Sequence, residues 1–383
     1  MTAEAPAERQ VKDDPELLDM MLGDASATSQ LYKPTHYWAI LEKALLPELY
    51  DQGLHDFRRR RDSVLAFLSY LDLLPSTWSR MQSPVRAPRR LGVMIKDSLS
   101  ASHWLNSLVR TSLRVKAMQE ILTGLSEAYL GASLHDINLL SYEFARSYGE
   151  KNGARPIQEF EASLVGNPEN VFHVDGRAYT TSVLHYYVQY AYCCKFMDFD
   201  SISSVLEIGG GFGKQVEVMK KLHPHLCFYM LDLPLQLYVC QQYLSTLFPD
   251  SVVSYRQTRT MKKLPEQRDG RIFILGNWKI AELSDLNYDL FWNSASFQEM
   301  EPSVVLNYLR YASQQVNKYV FLHERMEGSE RSTEPGRIGV LEPTTLEHYK
   351  RGLEKFDLVD LSRAVLLPRL SDTAYSFSFW KRE

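Results

Sequence analysis

The sequence predicts a doubly wound α/β sheet preceded by a mostly α-helical N-terminal region. Three observations lead there. The run Val205-Leu206-Glu207-Ile208 is short and apolar, as in a strand buried on both faces, and it ends in Gly209-Gly210-Gly211-Phe212-Gly213. Further short apolar runs follow at Phe228–Leu231, Ile272–Leu275, Asp289–Asn293 and Tyr319–Leu322, separated by stretches of helical character, which is the rhythm of alternating strands and helices. Before residue 150 the apolar residues keep a helical period instead.

Taken in order, residues 1–14 are polar and read as a mobile tail. Asp14 as N-cap, Pro15 as first helical residue and Gly23 as stop enclose a short helix with Leu17, Leu18 and Met21 on one side. Trp38, Leu41 and Leu45, and then Val64, Phe67, Leu68 and Leu71, give two amphipathic helices. Between them, Arg58 to Arg61, flanked by Asp56 and Asp62, reads as a solvated helix face. The period continues through Leu105, Leu108, Val109, Leu113, Leu134, Ile137 and Phe144, in a stretch without proline. Residues 15–180 form this N-terminal region, and nothing before Gly149 carries a catalytic motif, so its expected role is to cover the substrate side of the catalytic domain or to form a dimer contact.

Gly149, Gly153, Pro156, Gly166 and Pro168 then break the pattern. Val171–Val174, the turn Asp175-Gly176 and Arg177–Tyr179 read as a hairpin. A helix from Thr181 to Met197, crowded with Tyr186, Tyr187, Tyr190 and Tyr192, opens the catalytic domain, residues 181–383. Near its end, Thr344 with Glu347 makes a capping box, ahead of the runs Phe356–Val359 and Ala374–Trp380.

The chemistry is concentrated at the ends of the predicted strands. Glycines at 209, 211 and 213 permit positive φ and let a ligand approach the backbone at the start of the next helix. The dinucleotide fingerprint would need glycine at 214, where Lys214 stands. The next strand ends in Asp232, nineteen residues after Gly213, and its carboxylate can accept hydrogen bonds from both ribose hydroxyls. Together these features point to nucleoside binding. Ligands of such sheets sit outside the carboxyl ends of the strands, where three further groups fall. Asn277 and Trp278 follow Gly276, and Trp278 either stacks on adenine or packs. Asn293 to Met300 is a polar segment that includes Glu299. His323 ends the fifth strand as a general base or a structural histidine.

At 383 residues the chain is long for one α/β domain, and 45% hydrophobic with 23% charged residues supports a large core. A net charge of −4 gives no general attraction to nucleic acid or acidic membranes, so the expected partner is a small molecule. No signal peptide or membrane span is evident, which predicts a cytoplasmic protein. The four cysteines, Cys193, Cys194, Cys227 and Cys240, lack metal-ligand spacing and read as small buried hydrophobes; no metal site is expected.

The motif E-x-G-x-G-x-G from Glu207 to Gly213 resembles the first motif of class I methyltransferases, whose ligand, S-adenosylmethionine, has no pyrophosphate. Across roughly residues 160–330, Gly166-Asn167-Pro168, VLEIGGGFGK, YMLDLP and NSASFQEM resemble the sugar O-methyltransferase family of bacterial biosynthetic clusters, which also includes azetidine-2-carboxylate synthase-like enzymes. The resemblance implies a Rossmann-like sheet whose last strand, Ala374–Trp380, is antiparallel. It implies S-adenosylmethionine held by Glu207, Gly209, Gly211, Gly213 and Asp232, with Asn293 and Glu299 lining the reacting end. The implied activity is methyl transfer to a hydroxyl of a sugar or other small secondary metabolite, for which His323 or Glu299 could take the proton. One alternative is a cyclase that converts S-adenosylmethionine to azetidine-2-carboxylate and methylthioadenosine. A cage of tyrosines, Tyr179 foremost, would stabilise the sulfonium by about 0.5 to 2 kcal/mol of cation–π attraction. A second alternative is a non-catalytic methyltransferase-like binding module.

Overall fold

In the computed structural model, residues 10–60, 69–73, 116–264, 269–283, 285–334, 336–365, 367 and 374–383 are described. The predicted helical positions Val64, Phe67 and Leu68, the positions Leu105 to Leu113, and Arg61 and Asp62 lie outside them. The helices are α1 (Pro15–Ser26), α2 (His36–Gln52), α3 (Lys116–Lys151), α4 (Thr181–Cys194), α5 (Lys214–Leu222), α6 (Pro234–Leu247), α7 (Tyr255–Thr258), α8 (Pro302–Gln315) and α9 (Leu346–Gly352). The predicted hairpin is β1 (Val171–Val174) with β2 (Arg177–Thr180); Asp175 and Gly176 both have positive φ, as its two-residue turn requires.

The main sheet contains β3 (Ser204–Ile208), β4 (Cys227–Asp232), β5 (Val252–Val253), β6 (Ile272–Gly276), β7 (Tyr288–Ser294), β8 (Val316–Arg325), β9 (Phe356–Arg363) and β10 (Tyr375–Arg382). Its spatial order is β5-β6-β4-β3-β7-β8-β10-β9. Strands β3 to β8 pair in parallel, and β10 enters antiparallel between β8 and β9. This is the class I methyltransferase sheet. After β3 the chain first builds toward β6 and later returns to place β7 on the other side, which opens a crevice at the carboxyl ends of β3 and β7.

Successive strand residues feed two cores. Val205, Phe228, Met230, Leu290 and Trp292 pack with Leu184, Val188, Val216 and Leu237, from α4, α5 and α6. Leu206, Ile208, Tyr229, Leu231 and Phe291 pack on the other face with Val305, Tyr308 and Leu309 of α8 and Tyr349 of α9. The N-terminal region is part of the first core, through Leu17, Leu18, Met21, Leu45, Leu49, Leu54, Phe57, Ile157 and Phe160. Ion pairs Asp14–Arg256 and Asp24–Arg259 fasten α1 beside α7. A chain beginning at Thr180 loses these apolar side chains, each worth about 1.5 to 3 kcal/mol of burial. The expected outcome is aggregated protein; a folded, monodisperse fragment in light scattering would contradict a shared core.

Local differences from expectation have local causes. Of the expected tail 1–14, residues 1–9 lie outside the described residues, and 11–14 are tied to the body: Val11 is buried, Asp13 accepts from Leu54 N, and Lys12 O accepts from Gln242. Asp14 caps α1 through Leu17 N (3.0 Å), but the helix runs past Gly23 to Ser26. Gly149 lies inside α3, where a Cβ would collide with the Tyr187 hydroxyl. The helix expected to reach Met197 ends at Cys194. The capping box forms one residue late, Thr345 N donating to His348 Nδ1 (3.1 Å), while Thr344 Oγ1 donates to Met300 O (2.8 Å). Arg58 is a correction of another kind. It is fully buried, not solvated, and pairs with Asp72 (2.8 Å) while donating to Ser163 O and Val165 O. Among the described residues, no helix is long and apolar enough to cross a membrane.

Candidate active site

The glycine turn closes β3 and starts α5. Gly209 N donates to Leu231 O of the neighbouring strand (2.9 Å), and Gly209, Gly211 and Gly213 have φ of +72°, +56° and +87°. Gly213 is the N-cap of α5. A Cβ on Gly211 would meet open space, whereas one on Gly209 would collide with Ser296. Gly209→Ala therefore forces a strained backbone, about 1 to 2 kcal/mol, and also displaces the turn after β7. The expected result is a lowered melting temperature; an unchanged one would show that the turn relaxes freely.

Asp232 at the end of β4 organises the same turn. Its Oδ2 accepts from Gly211 N (3.1 Å) and its Oδ1 from Leu233 N (2.8 Å). Glu207 lies in β3 beneath Gly210, 3% exposed, and its Oε2 is buried with no hydrogen-bond partner. Burial, with the Asp232 charge beside it, pushes the Glu207 carboxyl up to about 8. Burial pushes Asp232 up to about 7, against the pull of its two N–H donors, and Glu42 of α2 adds to the rise. Glu42 itself is raised by burial to about 7. This end of the crevice therefore concentrates carboxyls whose charged forms lack a counterion, an environment that a bound cation would relieve.

At the carboxyl ends of β7 and β8 the polar segment folds into a turn. Asn293 is fully buried; its Nδ2 donates to Ile208 O and to Ser296 Oγ, both 2.7 Å, and its Oδ1 accepts from Phe297 N (3.3 Å). Those bonds occupy both Nδ2 hydrogens, so Asn293 ties the β7 turn to the end of β3. Glu324 accepts from Ser296, Phe297 and Gln298 N–H at 3.3, 3.3 and 3.0 Å, yet burial holds its carboxyl up at about 8. Glu299 accepts from Trp38 Nε1 (2.9 Å), and Thr35 Oγ1 donates to its carbonyl (2.9 Å). Burial raises Glu299 to about 8, opposed by the Trp38 bond. Because Trp38 and Leu41 also pack on Leu233, α2 lies across the crevice from Asp232 to Glu299.

His323 sits on β8 with Nδ1 3.0 Å from Ser294 Oγ. Its ring packs against His185, Tyr375 and Phe377, with centroids 5.5, 4.8 and 5.0 Å away. Burial, and then His185, hold its pKa well below the usual range, so the imidazole is neutral.

Two other expected contacts take different forms. Asn277 Nδ2 donates to Tyr32 O (2.9 Å) and Tyr308 Oη (2.8 Å). Trp278 folds back so closely over Gly276 that a Cβ there would collide with its indole. Tyr179 needs correcting: its hydroxyl donates to the carbonyls of Ile157 and Phe160 (3.3 and 3.2 Å), and its ring packs with Tyr142, Phe160 and Phe172. It belongs to the first core, shared with the sheet, not to the cage expected at the reacting end.

Sequence reasoning missed the support of the turn. Lys214 Nζ is buried and bonded to Glu217 (2.7 Å) and Tyr243 (3.1 Å), and Tyr243 Oη donates to Glu217 (2.7 Å). The Arg58 and Lys214 cations each lie 5.8 Å from the Phe212 ring. A signal was present: a lysine at a helix N-terminus opposes the dipole and implies another partner. His185, Trp38, Glu42 and Glu324 carried no comparable local sign.

No family model and no curated protein sequence matches this chain. Among solved structures it is similar to the pyocyanin biosynthetic protein PhzM, at 16% identity and TM-score 0.34 over 51% of this chain and 58% of that one. It is also similar to the mitomycin 7-O-methyltransferase MmcR, at 12% identity and TM-score 0.33 over 51% and 57% of the two chains. A third is the glycopeptide N-methyltransferase MtfA complexed with S-adenosyl-L-methionine, at 12% identity and TM-score 0.35 over 51% and 92%. The match spans somewhat over half the length of the first two, 58% and 57%.

Proposed function

We propose that this chain is an S-adenosylmethionine-dependent O-methyltransferase acting on a hydroxyl of a sugar or other small metabolite. The observation that carries the reading is the pairing of Asp232, bonded across the glycine turn, with Glu207, whose buried Oε2 has no partner. Asp232 suits the ribose hydroxyls, Gly211 leaves its backbone open to close approach, and a cationic nucleoside would supply the charge that the buried carboxylates lack. S-adenosylmethionine, when bound, supplies an electrophilic methyl group.

The remaining work falls to residues at the ends of β7 and β8. His323, neutral and held at Nδ1 by Ser294, has Nε2 as the nitrogen for the proton of an acceptor hydroxyl. Glu299 is less suited, because burial leaves it protonated near neutral pH and Trp38 already engages it. Trp38 and α2 keep water from this end. The test is incubation with S-adenosylmethionine alone and then with hydroxylated small molecules. S-adenosylhomocysteine formed only with an acceptor supports methyl transfer; methylthioadenosine formed without one establishes the cyclase, and no turnover leaves a binding module.

The same reading includes a homodimer. It is supported by Leu140 and Phe144, one turn apart on α3 and 58% and 37% exposed. Light scattering of the full chain should give twice the monomer mass of 44.2 kDa; a monomer at micromolar concentration rejects it.

A further inference from the structure

His185 lies on the first turns of α4, facing His323 across the edge of the crevice. The two rings are 5.5 Å apart and tilted by 58°. Gln189, one turn further along and fully buried, brings its Nε2 to 2.9 Å from His185 Nε2, so the amide donates and the proton of the neutral imidazole sits on Nδ1. That leaves His185 Nδ1 and Gln189 Oε1 as buried polar atoms without a partner. Unpartnered buried polar atoms are costly, and a helix face in a well-packed core rarely carries two of them without a use.

Among the described residues, the groups around the pair are few. His323 meets Ser294 from β7, and Tyr375 and Phe377 from β10; His185 meets Tyr186 and Gln189 from its own helix. On β8 itself, Glu324 turns to the backbone of Ser296 to Gln298, and Arg325 lies over the Tyr375 ring at 5.2 Å. No carboxylate is bonded to either imidazole among the described residues, so nothing offsets the burial that opposes a proton on either ring, and at His323 the neighbouring His185 adds to that opposition.

We propose that His185 is a positioning residue for the reaction, an uncharged imidazole that keeps His323 free to accept the acceptor's proton and prevents the pair from holding two. This rests on the reading of His323 as the base. In the transfer step the acceptor oxygen forms the new bond to the methyl carbon, the carbon–sulfur bond breaks with its electrons going to sulfur, and the hydroxyl proton passes to His323 Nε2. Burial lowers His185 to about 4, so it does not compete for that proton at neutral pH.

The test is nuclear magnetic resonance titration of histidine-labelled full-length protein, wild type and His185→Asn, with S-adenosylmethionine turnover followed over the same pH range. In wild type the two resonances should titrate as a coupled pair, below the ordinary histidine value of about 6.5. In H185N, His323 should titrate higher by about half a unit or more. The acid limb of turnover should move up with it, at unchanged KM for S-adenosylmethionine. A His323 titration that ignores H185N, or independent titrations in wild type should the variant not fold, overturns the pairing. If His323 shifts but the acid limb of turnover does not follow, the pairing stands as geometry, and the assignment of His323 as base falls instead.

Discussion

Arg58→Met is expected to cost about 3 to 5 kcal/mol of folding stability, the usual penalty for removing one partner of a buried ion pair. Arg58 and Asp72 are both fully buried, 2.8 Å apart, and the guanidinium also donates to the carbonyls of Ser163 and Val165. Methionine fills much of the volume but leaves the Asp72 carboxylate and both carbonyls without their donor. Among the described residues, Ser182 Oγ alone would remain on the Asp72 carboxylate. Because Arg58 also sits over Phe212 in the glycine turn, the loss should reach the nucleoside end of the crevice. Urea unfolding of the full chain measures it. A loss under about 1 kcal/mol would mean that the pair adds little beyond a well-packed apolar contact.

Asp232→Ala is expected to weaken S-adenosylmethionine binding by roughly 2 to 3 kcal/mol, about a hundredfold. The substitution removes the acceptor of Gly211 N and Leu233 N, so the turn loses its anchor along with the proposed ribose contact. Calorimetry on a variant that still melts cooperatively separates the two. Unchanged affinity would take the carboxylate out of the site. NAD should give no heat with wild-type protein, because Lys214 stands where the dinucleotide turn needs glycine and is bonded inward to Glu217 and Tyr243.

The fold was legible because its signals are local. The apolar run 205–208 with its glycines, Asp232 at the next strand end, and Asp175-Gly176 in the hairpin each need only neighbouring residues to be interpreted. The parallel, doubly wound class followed from alternation with helices, whereas the spatial strand order is set by long-range pairing, and the two-residue β5 is too short to have a pattern. The site was legible only in part, since its closure depends on contacts distant in sequence. Trp38 meets Glu299 across 261 positions, and nothing near either residue announces the other. Asn293 reads as a polar strand-end residue, and only the chain geometry shows its amide committed to Ile208 and Ser296. Arg58 reads as one of a basic run, yet it points into the core because Asp72 and the Ser163 and Val165 carbonyls meet it there.

The central claim is that Glu207, Asp232 and their neighbours form a site for a cationic nucleoside. The sign of the pH dependence follows from their raised values. Glu207 at about 8 and Asp232 at about 7 stand above the usual unfolded range near 4. Their contribution to apo stability is therefore fully present below about pH 4 and is lost as pH rises through 7 to 8. A cation reverses the preference by favouring the charged carboxylates. The decisive measurement is calorimetric titration with S-adenosylmethionine at pH 7, in two buffers of different ionisation enthalpy. Binding with net proton release, and affinity that rises between pH 6 and 8, is the predicted result; binding without proton release, or no binding at all, would contradict it.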